Sequence, residues 1–177
     1  MVAGLLFSGA VALAACGSSS APAALASCSA ARLAVSQSHR PEAGLGHAGN
    51  VVLLHNSGTS TCTLRGYPTV TLFNDSNIAS NIASVTASKT PSGYLGGLAS
   101  GSTAPPLVTL TSGGVASFLV EGTDVPVGAS GVCPTYGAMR FVLPGTSTSK
   151  PLGASLPGCS RPEVHPIVAG PTGSQPG

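Results

Sequence analysis

GLGHAGNVVLLHN, residues 44–56, can be read in two ways, and the choice decides the fold. Gly44, Gly46 and Gly49 stand at the G-x-G-x-x-G spacing of a dinucleotide-binding turn. That turn follows a strand and opens a helix whose N-terminus holds the pyrophosphate. Here the glycines follow a polar stretch, SQSHRPEA, and open an apolar run at Val51–Leu54. No βαβ pattern follows. The glycines therefore read as a loop entering a strand, in a chain with no nucleotide site.

On either side of this stretch, short apolar runs alternate with turn residues. Candidate strands are 31–36, 50–56, 61–65, 69–73, 82–87, 107–111, 115–121, 138–143 and 163–168. Asn56-Ser57-Gly58, Gly66-Tyr67-Pro68, Asn74-Asp75 and Ser112-Gly113-Gly114 supply the turns between them. Pro166 should place the last strand at a sheet edge. No segment keeps apolar residues at helical spacing with caps. The expected fold is all-β: an antiparallel β-sandwich, immunoglobulin-like in general architecture, with little or no helix. Residues 88–106 read as a long loop dividing the domain, and 169–177 as a disordered tail.

Composition agrees. Only 7% of the 177 residues are charged, against about 25% in ordinary soluble domains. Gly (24) and Pro (15) are abundant, yet 42% of residues are hydrophobic, more than a disordered chain carries. The net charge of +2 comes from scattered residues. Without a basic cluster, nucleic acid is not an expected partner.

Residues 3–15, AGLLFSGAVALAA, have the length and apolarity of a signal peptide. They run into Leu13-Ala14-Ala15-Cys16 and then Gly17-Ser18-Ser19-Ser20, which resembles a bacterial lipobox. The expected organisation is a signal peptide over 1–15, a lipidated Cys16 with a flexible tether over 16–27, and a domain over 28–168. The opening residues lack the usual Lys or Arg, so the true start is expected further upstream. The tether would reach roughly 18 Å. The membrane, through a covalent lipid on Cys16, is the expected partner, on the extracytoplasmic face of the cell membrane.

Setting Cys16 aside leaves Cys28, Cys62, Cys133 and Cys159. Four cysteines in an oxidising compartment suggest two disulfides with three possible connectivities. No C-x-x-C spacing supports zinc or thioredoxin-like chemistry. The local pairing, Cys28–Cys62 and Cys133–Cys159, staples each half and is favoured over the other two.

The order of these residues is distinctive. Gly49-Asn50 precedes a strand ending at Asn56, and Cys62-Thr63-Leu64-Arg65-Gly66-Tyr67-Pro68 follows. A Leu110…Gly113 turn, a strand and two late cysteines complete the pattern. It resembles the domain of unknown function 4232 family of secreted and lipid-anchored actinobacterial envelope proteins. The resemblance covers roughly 28–168 and rests mainly on the run from Asn56 to Pro68. It implies an exported β-domain with the same two disulfides and no catalytic residues. Ser112 stands where the family's turn usually has Pro. Gly66, Tyr67 and Pro68 read as a strand-breaking corner, with Tyr packing its ring and anchoring backbone through its hydroxyl. Tyr67 as a ligand contact is the functional alternative.

Catalytic groups are sparse. Ser147-Thr148-Ser149-Lys150 matches S-x-x-K, but its companion motifs are absent. His39, His47 and His55, with Glu42, are the only run of metal-ligand types, and they read first as surface histidines on polar loops. His165 and Met139 are distant in sequence. Glu121 and Asp124 flank Gly122 and read as a solvated turn rather than an acid/base pair. Asn74-Asp75-Ser76 fits a glycosylation acceptor that a bacterial lipoprotein has little use for. The expectation is a non-catalytic binding or structural module without a cofactor, facing an envelope protein or polymer. The alternative is a metal- or small-ligand-binding lipoprotein using His39, His47 and His55.

Overall fold

The computed structural model describes Met1 and residues 24–38, 42–74, 84–126, 131 and 133–176. The leader after Met1, Cys16, the tether as far as residue 23, and His39 lie outside the described residues. The opening stretch forms a β-hairpin. β2 (Glu42–Gly44) pairs antiparallel with β3 (His47–Asn56), and Gly44 faces His47 across the turn. Leu45 and Gly46 both have positive φ, 41° and 81°. A two-residue turn of that kind matches the strand twist. The glycine spacing thus belongs to a strand end and a tight turn.

β3 lies inside a seven-stranded sheet. On one side it pairs with β1 (Leu33–Gln37), and on the other with β9 (Val115–Thr123), from His47↔Thr123 to His55↔Val115. β9 also carries β12 (Glu163–Val164) and β13 (Val168–Ala169), and β12 pairs in parallel with β7 (Ser88–Lys89). The second sheet runs β11 (Ser149–Pro157), β10 (Thr135–Val142), β5 (Thr69–Phe73), β6 (Ser84–Thr86). A two-stranded ribbon of β4 (Cys62–Leu64) and β8 (Val108–Leu110) closes one end. A 3-10 turn at Ala30–Arg32 precedes β1. The molecule is a β-sandwich.

Period-2 alternation sends Val52, Leu54, Phe118 and Val120 from the large sheet inward. They meet Val70, Leu72, Met139, Phe141 and Leu156 from the other sheet. Phe118 and Phe141 join the layers edge to face, with ring centroids 5.3 Å apart. Both disulfides are the expected local ones, with Cα atoms 4.9 Å apart for Cys28–Cys62 and 4.5 Å for Cys133–Cys159. In the chain-entropy model, loops of 34 and 26 residues each contribute about 3.5–4 kcal/mol. They staple opposite ends. The amide of Cys159 bonds Thr123 at one end of β9, while Cys28 bonds Thr63 beside the ribbon at the other.

Three expectations change. β11 was not foreseen, because Pro151, Gly153 and Pro157 give it a loop's composition. It sits at a sheet edge, with β10 as its only strand partner, where proline is tolerated. The strand expected at 163–168 is two strands, and β12 lies between β9 and β7 rather than at an edge. Pro166 falls in the gap between the two pieces. The tail is not disordered over its described residues. Gly173 donates its amide to the Ser117 hydroxyl (2.8 Å), which donates to the Gly170 carbonyl (2.6 Å). Gln175 donates its amide to the Gly97 carbonyl (2.8 Å).

The tail and residues 91–98 together cover the outer face of the large sheet. β9 is consequently buried on both faces from Ala116 to Gly122. This cover holds the candidate site.

Candidate functional site

Glu121 lies within β9, where alternation directs it to the outer face, and the covering segments bury it to 3% exposure. A carboxylate there needs partners for both oxygens. Oε1 accepts from the Tyr94 amide (3.1 Å) and meets His47 Nδ1 (2.5 Å). Oε2 accepts from the Leu95 amide (3.1 Å) and meets Nε2 of His165 (3.2 Å). His165 is fully buried. The strap at 91–98 is thus tied to the sheet by one side chain. Its shape comes from Gly93, where a Cβ would come within 2.7 Å of the His165 ring. Tyr94 then stacks on His47, with ring centroids 4.7 Å apart and planes 22° from parallel.

Beyond His165 the network continues. Nδ1 lies 3.2 Å from both the carbonyl and the hydroxyl of Thr90, and that hydroxyl donates to Oε2 of Glu163 (3.2 Å). Glu163 is the cross-strand partner of Glu121. Like charges opposite one another destabilise a sheet. His165 and Thr90 stand between these two. A carboxylate, an imidazole and a hydroxyl in line have the order of a nucleophile relay. The surroundings argue against that use. The adjoining cavity, about 80 Å³, is lined by His47, Tyr94, Glu121 and Arg161 among others, and neither His165 nor Thr90 borders it. It has room for water and little else.

The second polar centre is Asn56, 1% exposed at the end of β3. The two hydrogens of its Nδ2 are shared among the carbonyls of Ser60 (3.0 Å), Leu110 (3.1 Å) and Thr111 (3.0 Å), and its Oδ1 accepts from the Gly58 amide (3.0 Å). Its backbone exchanges bonds with Gly113 and Gly114. The two separate motifs, Asn56…Gly58 and Leu110…Gly113, are one junction in space. The family model described as "Domain of unknown function (DUF4232)" matches residues 28–170. The chain belongs to the DUF4232 family. No curated protein and no solved structure matches it.

The DUF4232 match ends at Gly170, the residue that accepts the Ser117 hydroxyl. The covering tail therefore begins inside the family's domain. At the corner, Gly66 has a φ of 113° and its carbonyl accepts the Ile167 amide, and Pro68 is buried. Tyr67 is half-buried, and burial raises its hydroxyl above its ordinary pKa.

The histidines of the DUF4232 domain divide differently from the sequence expectation. His47 and His55 both lie on β3, eight residues apart by number, which is about 26 Å along a strand. His55 is exposed, and His47 faces Glu121. These two cannot share one ion within a chain. Among the described residues, no three His, Cys, Asp or Glu side chains form a metal-binding group. Glu42 is a β2 residue opposite Gly49, and Met139 is buried in the sandwich core. Lys150 of the S-x-x-K run donates from Nζ to the Leu33 carbonyl (3.0 Å). The solvated-turn reading is corrected for Glu121, which is buried within a strand, whereas Asp124, just past the strand end, is exposed. The missed signal was a single Glu inside an apolar run lacking alternation, the pattern of a strand buried on both faces.

Proposed function

We propose that this protein is a lipid-anchored, exported binding module of the cell envelope with no catalytic step of its own. One observation carries the reading. The buried carboxylate–imidazole cluster has both Glu121 oxygens occupied by the protein's own donors, so it is committed to holding the strap. Acid–base catalysis needs a group within reach of a substrate proton, and here the reach is taken up internally. The lipobox at Cys16 supports the anchor. Pairing of the other four cysteines supports an oxidising compartment.

Native mass spectrometry on protein extracted from its own membranes tests this. The expected result is a diacylglyceryl adduct on Cys16, two disulfides, and release to the soluble fraction on Cys16→Ala. A soluble protein carrying no adduct overturns the anchor.

A further inference from the structure

We infer that the outer face of the strap is a binding site for neutral carbohydrate, with Tyr94 as its stacking platform. This deepens the binding-module reading and rests on it. Tyr94 keeps 54% of its surface exposed in a protein with few aromatic residues. Its ring is held from behind by the stack on His47, and its backbone by Glu121. An exposed aromatic fixed this way costs little entropy to use in binding. Beside it lies an open groove of about 400 Å³, formed by residues 92–98 with Ser100, Ser174 and Gln175.

The groove's chemistry narrows the occupant. None of its lining side chains is charged. That disfavours phosphates, acidic polymers and nucleic acid, which need cations. Its backbone groups are largely engaged: Gly93 bonds Gly96, Leu98 bonds Pro91, Gly97 bonds Gly173 and Gln175 bonds Gly97. An extended peptide adding as a strand would need a free edge. What remains is hydroxyl and amide chemistry. Among the described residues the hydroxyls of Ser92, Ser100 and Ser174 make no hydrogen bond, and the Gln175 amide retains its donors. Uncommitted hydroxyls beside an aromatic face suit a polyol ring, which presents hydroxyls at its rim and C–H groups on its faces.

The platform's placement agrees with the proposed anchor. The chain enters the domain near Cys28, and β1 begins opposite Asn56 at one end of β3. Tyr94 stacks on His47 at the other end. A lipid-tethered domain would hold the platform away from the membrane, toward the envelope polymers.

The test is gel retardation of the full chain in mild detergent through soluble α-glucan, galactomannan and xyloglucan, with heparin as an anionic comparison. At least one neutral glycan is expected to retard the protein. Tyr94→Ala should weaken that binding about tenfold, while Tyr94→Phe retains it. Ser100→Trp, at an exposed position in the groove's lining, should also block it without touching the core. Failure of all three glycans, binding indifferent to both blocking variants, or retardation by heparin alone overturns the inference. A parallel sedimentation with the native envelope fraction separates the two levels. Protein that sediments but ignores the glycans sinks only the carbohydrate assignment; protein that does neither sinks the binding module too.

Discussion

The two faces of the large sheet are buried by different means. The inner face is a dry layer of Val, Leu and Phe packed against a second sheet. Among the described residues the outer face has no second sheet. It is covered by two glycine-rich segments, held by Glu121 and Ser117 rather than by apolar bulk. An apolar layer is non-directional and tolerates adjustment, whereas a few buried polar groups fix one geometry and fail sharply when a partner is lost. The proposed platform belongs to the second kind of face, where position matters more than area.

Three substitutions separate the two faces. Phe118→Ala removes the aromatic contact between the sheets and should cost about 3–5 kcal/mol, read by denaturant unfolding as loss of the whole cooperative transition. A smaller, local effect would mean the sandwich core is not what holds the molecule.

Glu121→Gln keeps the shape but puts an amide group where two backbone donors and two imidazoles converge. It should cost about 2–4 kcal/mol. Its signature is faster hydrogen exchange at the Tyr94 and Leu95 amides, with inner-face amides less affected. Equal exchange increases on both faces would show that the strap is not a separate unit.

Ser117→Ala is the mildest test. It removes the acceptor of the Gly173 amide and the donor to Gly170, at about 1–2 kcal/mol. Exchange should rise at Gly173 and the neighbouring tail amides while the strap stays protected. Simultaneous loss of the strap would join the two segments into one cover.

Much of this is legible in the sequence, and the exceptions share a cause. The strands at 50–56, 69–73 and 115–121 announce themselves through apolar runs bounded by turn residues, and β5 spans Thr69–Phe73 as expected. β11 was invisible because an edge strand needs neither apolar alternation nor freedom from proline. Glu121 reads as part of a solvated turn with Asp124, and His165 as distant in sequence from the other histidines; nothing local joins two residues 44 positions apart. Only the pairing of β12 with β9 places Glu163 opposite Glu121 and brings His165 to the carboxylate.

By itself, then, the sequence determined what local chemistry controls: strands and turns, the four paired cysteines, and the residues of the family's motif. The tertiary structure alone decided which outer-face residues are buried. A strand's alternation assigns each side chain to a face, but not what covers that face. Whether a Glu on the outside meets water or a strap depends on chain 26 and 27 residues before it and 44 residues after it.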